Sequence, residues 1–440
     1  MNTFQLYELP MLKDNLLDQI KKNGFNPVYS KFLAQPQFSN GFNHYIHVSK
    51  DKMIFVEDPK YKNKNFYHIT NAFEHTITNN AKDKLDIASS SKLYFNLTDN
   101  SKLNIVSRAF YKLWEMLMIF DIVPSGSIIS AHLAEAPGSF VQSLVFYREK
   151  FFKKSEYVKD EHFVISISEE GVPTFKKDFK TQYSRVKIYE QDGGDLTDLK
   201  SIDKFTKFSK KADLITADGG FIWKDENYQE QEAYKLIIGE ILTALKIQEK
   251  NGSFVLKIFE IYTDITIKIL SILSSVYSYT FITKPFLSRP SNSERYIVCK
   301  GFNGVDKIII TRLEELLEEI GSKETNNMFL ADLLPDYTIN TQFRRITNIS
   351  SIILSDIQHN EINKMIKYIN AGNYYGDQYH QYLALQQKAN DLWTSSFYPL
   401  DAQDMKAVKK NIAELFKQSI IKSNEEVSKY NNQLIQVYNL

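Results

Sequence analysis

The sequence predicts an α/β fold, a mostly parallel sheet wound with helices on both faces and closed by an antiparallel hairpin. Three observations predict it. From Ser127 to Phe302 short apolar runs alternate with longer amphipathic stretches, the pattern of strands separated by covering helices. The segment Gln231 to Gln248 sets Ile237, Ile241 and Leu245 at helical spacing with Ile238 and Leu242 beside them, a stripe that packs on a sheet. The last two apolar runs are joined only by FLSRPSNSE, too short for a crossover helix, so their strands pair antiparallel.

Seven strands follow in order: Ser127 to Leu133, His162 to Ser168, Arg185 to Glu190, Ala212 to Asp218, Gly252 to Phe259, Tyr279 to Pro285 and Arg295 to Gly301. The first hundred residues, with scattered proline and aromatic residues, read as an irregular α+β region. After Asn303 apolar residues fall at helical spacing over Asp306 to Gly321, Ile357 to Asn370, Gln378 to Trp393 and Ala402 to Gln436. A chain of 440 residues exceeds one ordinary core, since domains run to ~100–200 residues. The expected parts are 1–100, 101–303 and 304–440.

Composition narrows the function. Lys+Arg 54 against Asp+Glu 53 leaves a net charge of +1, which removes a global field for phosphate and leaves any nucleic-acid contact to a local patch. The single cysteine, Cys299, excludes an internal disulfide and a multi-thiolate zinc site, and points to a reducing compartment, cytoplasm or nucleus. No basic leader with an apolar run and no stretch of eighteen apolar residues is seen, so neither secretion nor membrane spanning is expected. Phe 30, Tyr 26 and only 16 Gly, with plentiful Asn, Lys and Ile, match A/T-rich coding such as that of a large DNA virus.

The first strand runs into HLAEAPGSF (His132 to Phe140) and then an amphipathic helix. A small-residue turn there lets backbone amides approach a ligand at the helix N-terminus. Pro137 suits the first helical turn and Gly138 permits close approach; an ordinary strand-to-helix turn is the alternative. TADGGF ends the fourth strand and puts Asp218 at the carboxyl edge of the sheet, where doubly wound folds bind ligands. Lys257 lies inside GSFVLKIF between Leu256 and Ile258, where a lysine needs a partner unless it snorkels from a strand end. Glu294 opens the last strand, Lys112 lies in the helical RAFYKLWEML, and EQDGGDLTDL carries Asp195 and Leu196. Taken singly, each charge could also be solvated surface.

The order Lys112, Asp218, Lys257, Glu294 resembles the Lys-Asp-Lys-Glu tetrad of FtsJ-like ribose 2′-O-methyltransferases, most closely the cap-specific mRNA enzymes. HLAEAPGSF is similar to their cofactor motif in the form of the branch that modifies the second transcribed nucleotide. KPFLSRPSNSERYIVCKG (Lys284 to Gly301) resembles the segment of the branch that modifies the first. The resemblance covers roughly Ser107 to Phe302. His132 stands where many such enzymes have Asp, and Ser139 where they have a second glycine.

What the resemblance implies is a Rossmann-like methyltransferase sheet and S-adenosylmethionine as cofactor. That cofactor would be held by Glu135, Ala136, Pro137, Gly138, Ser139, Phe140, Asp195, Leu196 and Asp218. It implies Lys257 as general base or hydroxyl-orienting donor, Asp218 and Glu294 as its positioning partners, Lys112 as electrostatic support, and no metal. The substrate is expected to be the capped 5′ end of RNA, with Arg108, Lys284, Arg289 and Arg295 as basic contacts. Two alternatives stand beside this reading, an FtsJ-like enzyme for ribosomal or transfer RNA and an inactive RNA-binding scaffold. The helices after Asn303 either pack on their own chain or offer a platform to a capping or transcription partner.

Overall fold

The computed structural model describes residues 4–33, 40–56, 58, 60, 66–74, 87–97, 105–169, 171–220, 223–372 and 376–438. Its strands are β1 (Gln5–Leu9), β2 (Val28–Ser30), β3 (Ile129–Leu133), β4 (Glu161–Ile165), β5 (Val186–Tyr189), β6 (Ala212–Ala217), β7 (Gln248–Ile258), β8 (Tyr277–Lys284), β9 (Arg295–Phe302) and β10 (Phe329–Asp332). Eight form one sheet in the order β1-β8-β9-β7-β6-β3-β4-β5, and β2 pairs with β10 apart from it. β3, β4, β5, β6 and β7 run parallel, whereas β9 lies antiparallel between β7 and β8. The order reverses at β3, which is flanked by β6 and β4. A crevice therefore opens at the carboxyl ends there, the usual ligand position in such sheets.

All seven expected strands are present, and β1 is an eighth. It pairs antiparallel with β8, Gln5 opposite Lys284 and Leu9 opposite Thr280. Leu6, Tyr7 and Leu9 are buried, so this short strand from the first region covers what would be an open sheet edge.

Helices cover both faces because each presents an apolar stripe. Tyr234–Ile247 starts three residues later than its periodicity predicts, after the short turn Gln229–Glu232. It buries Ile237, Ile241 and Leu245 in one layer with Leu273 of Asp264–Val276 and Leu317 of Lys307–Glu324. The opposite layer packs Phe110, Trp114 and Leu117 of Ala109–Phe120 against Phe140 and Leu144 of Ser139–Phe151. The long helices Thr341–Ala371, Asp377–Phe397 and Ala402–Tyr438 follow. Trp393, Phe397 and Ile412 join that second layer, and the Trp114 indole donates to the Phe397 carbonyl at 2.9 Å. Each such aromatic side chain contributes roughly 1.5–3 kcal/mol on burial. No helix among the described residues is long and apolar enough to cross a membrane.

Candidate active site

β6 and β7 end side by side, and the chain leaves both at the same edge. This brings Lys257 Nζ within 3.2 Å of Asp218 Oδ1 and 2.8 Å of the Asp218 carbonyl. On the neighbouring side, the helix Ala109–Phe120 aims Lys112 Nζ at Glu294, 2.7 Å from Oε1. Ser288 Oγ donates to the same carboxylate at 2.8 Å, and the Tyr296 hydroxyl donates to Asp218 Oδ1 at 2.9 Å. All four charged side chains are 11–18% exposed, open to a substrate yet dry enough for their charges to interact strongly.

That environment decides the charge of Lys257. Burial alone would lower its pKa, but attraction from Asp218, Glu294 and Glu240 outweighs burial and raises it above the ordinary lysine value. Burial likewise opposes the Glu294 carboxylate, yet Lys112, Lys257 and Lys284 together hold it well below the usual carboxylate range. The sequence left open which influence on Lys257 would win; the carboxylates do.

On the other side of β3 a cavity of about 300 Å³ lies at the carboxyl ends of β4 and β5. Ala136, Ser166, Ile167, Phe175, Tyr189 and Glu190 line it, with Gly193 and Gly194 at its rim. Gly194 has φ +68°, and a Cβ there would stand 2.1 Å from the Ser166 carbonyl oxygen, so the loop passes this close only as glycine. A nucleoside-sized, partly apolar slot with polar walls fits the adenosine end of S-adenosylmethionine. Sequence reasoning missed Ser166, Ile167 and Phe175, whose segment carries no motif.

The expected cofactor residues divide. Ala136 lines the slot, and its N–H donates to Ser166 Oγ at 3.2 Å. Glu135 is buried and turned inward. Its carboxylate accepts the Val141 N–H at 2.9 Å, capping the helix, and burial pushes its carboxyl well above the ordinary value. Pro137 precedes the helix, which begins at Ser139. Gly138, with φ +109°, is approached by the ring of Phe179, which a Cβ would meet at 2.5 Å. Ser139 Oγ meets Ser107 Oγ at 2.7 Å, and Phe140 is buried. Asp195 spends its carboxylate on the N–H and hydroxyl of Thr197, and buried Leu196 packs under Gly239. His132 is buried among Ser130 and Thr216 at 2.8 Å. Burial lowers its pKa to about 3 and keeps it neutral.

The four basic positions expected to meet RNA all have partners within the chain. Arg108 and Arg289 both bind buried Glu74, and Arg108 also donates to the Leu287 carbonyl at 2.8 Å. Arg295 is 1% exposed and bonded to the Ser293 carbonyl at 3.3 Å. Lys284 closes its own loop, donating to the Asn292 carbonyl at 3.0 Å and side chain at 2.9 Å. These cations hold the 285–294 loop in place rather than forming an open patch. Arg289, over the Tyr67 ring at 3.6 Å, is the most exposed of the three arginines. Among the described residues no cluster of three or more metal-ligating side chains occurs.

Residues 105–302 match the FtsJ-like methyltransferase family and, with this sheet, form an FtsJ-like methyltransferase domain. The chain is similar to cap-specific mRNA (nucleoside-2′-O-)-methyltransferase 2 of Drosophila melanogaster, 27% identical over 283 residues, covering 58% of this chain and 38% of that protein. Cap-specific mRNA (nucleoside-2′-O-)-methyltransferase 1 of Trypanosoma brucei brucei is 30% identical over 212 residues, covering 47% and 56%. An uncharacterised protein of Acanthamoeba polyphaga mimivirus is 26% identical over 288 residues, covering 62% and 35%. The match thus spans less than two thirds of the length of each of these relatives.

Proposed function

We propose that this protein is an S-adenosylmethionine-dependent methyltransferase that modifies the ribose 2′-hydroxyl of the first or second transcribed nucleotide of capped mRNA. The observation that carries the reading is the meeting of Lys112, Asp218, Lys257 and Glu294 at one sheet edge, beside a nucleoside-sized slot. The names of the relatives support the capped substrate.

S-adenosylmethionine supplies an electrophilic methyl carbon on a sulfonium. The chain's own task is to hold a hydroxyl oxygen in line with that carbon, and such positioning supplies much of the rate. Asp218 and the neighbouring carboxylates hold Lys257 as an ammonium in the free protein, and in that form it can only donate to a bound ribose oxygen and fix its place. Lys257 accepts the hydroxyl proton only where bound substrate weakens its pairing with the carboxylates enough for the ammonium first to release its own proton to solvent. Lys112 steadies Glu294, and the Tyr296 hydroxyl steadies Asp218. The proposed place of action is the cytoplasm, a viral replication site or virion included, with the nucleus as the alternative.

The test is methyl transfer from labelled donor to matched RNAs with uncapped, capped, and capped and first-ribose-methylated ends. Transfer restricted to capped RNA is expected, and the third RNA assigns the nucleotide. Equal transfer to uncapped RNA would move the protein to the ribosomal or transfer RNA class, and none to any RNA would favour a binding role.

A further inference from the structure

The loop that delivers Glu294 leaves β8 at Lys284 and enters β9 at Arg295. Its first amides are not satisfied within the loop. The Phe286 N–H donates to Glu115 Oε2 at 2.7 Å and the Leu287 N–H to Glu115 Oε1 at 3.1 Å. Glu115 is wholly buried and lies one helical turn beyond Lys112, on the same helix Ala109–Phe120. The indole Nε1–H of Trp393, from the helix Asp377–Phe397, donates to Glu115 Oε1 at 3.0 Å. One buried carboxyl group thus joins the helix of one charged pair member, the loop of the other, and the C-terminal helical region. The chemistry assigned above uses it nowhere, and a buried carboxyl is too costly to keep without partners.

We propose that Glu115 is a positioning residue for methyl transfer: it fixes the loop bearing Glu294 against the helix bearing Lys112, taking its own bearing from the C-terminal helix through Trp393. This rests on the catalytic reading of the tetrad. Three N–H donors face the two oxygens, so in either protonation state the group serves as acceptor. A glutamine turns one of those acceptors into a donor and leaves at least one loop N–H unpaired. The loop would then hold Glu294 less firmly over Lys112, while the slot across β3 is untouched.

The experiment compares wild type with Glu115→Gln and Trp393→Phe, the latter keeping an aromatic ring while removing the donor. Turnover per folded molecule, KM for capped RNA, donor affinity and hydrogen exchange at the Phe286 and Leu287 amides are measured. Glu115→Gln is expected to lower kcat tenfold or more with donor affinity within twofold of wild type, and to lose protection at both amides. Trp393→Phe is expected to lower kcat two- to fivefold with KM unchanged. A purely structural role would lower the melting point and leave turnover per folded molecule intact. Wild-type kcat in either variant, or unchanged amide protection in Glu115→Gln, overturns the proposal; should Glu115→Gln not fold, Trp393→Phe decides. If wild type itself transfers no methyl group to RNA, the function proposed above fails, while amide exchange still tests whether Glu115 holds the loop.

Discussion

Gly193 and Gly194 offer a paired test of the donor slot, because both have a positive φ and they differ in surroundings. Their φ angles are +71° and +68°, so alanine at either costs about 1–2 kcal/mol for the left-handed region. At Gly193 a Cβ meets nothing within 4 Å, whereas at Gly194 it meets the Ser166 carbonyl at 2.1 Å. Backbone must move to relieve that contact, and overpacking of this kind adds about 1–3 kcal/mol. Ser166 belongs to the slot wall, so the displacement falls on the ligand site. Gly194→Ala is expected to weaken S-adenosylmethionine binding roughly tenfold or more, since tenfold corresponds to about 1.4 kcal/mol, and Gly193→Ala severalfold less. Titration calorimetry measures both affinities, with thermal melts to confirm folding. Equal, wild-type affinities for the two variants would refute the placement of the donor against this loop.

Lys257→Met should reduce turnover by about 10²-fold or more with donor affinity retained; substantial turnover in Lys257→Arg, read in the same labelled-methyl assay, would show that charge suffices without a base. Gly138→Val should lower the melting temperature, because its Cβ enters the Phe179 ring; an unchanged melt would disprove that packing. Burial pushes the carboxyls of Glu115 and Glu240 up to about 8 and that of Glu230 up to about 7. Groups with a raised folded pKa stabilise below their unfolded value and lose that contribution as pH rises through the folded one. The buried neutral His132 and His162 work the opposite way up to about pH 6.5, so the melting temperature should fall between about pH 6.5 and 8, and Glu240→Gln should flatten part of that slope. Capped-RNA binding should weaken only shallowly with salt, since Arg108, Arg289, Arg295 and Lys284 are already engaged; a slope of about six or more in log–log titrations would reveal an unrecognised basic groove.

The parts legible in the sequence were those whose signal is local. β3 to β9 announce themselves as apolar runs, and Lys112, Asp218, Lys257 and Glu294 through the resemblance of their order to a known family's tetrad. β1 escaped because five residues carry little periodicity, and their partner lies at the far end of the domain. The roles of Arg108 and Arg289 depend on Glu74, which stands in a segment with no motif and becomes relevant only by folding beside both. Glu115 escaped for a different reason: two of its partners are backbone N–H groups, which any residues could supply.

The pairing of β1 with β8 also orders events in time. Leu9 lies opposite Thr280, so at ~5–20 residues per second of synthesis the first strand waits on the order of ten to sixty seconds for its partner. Throughout that interval the apolar residues of β1 lack the strand that lies opposite them in the folded sheet. Contacts this distant in sequence form slowly, so the outer rim of the sheet is the last to zip. Because β8 joins the sheet only through β9, newly made protein should accordingly be most vulnerable to proteases and to sticking between chains until residue 302 clears the ribosome, and a chaperone that shelters β1 would act there with greatest effect.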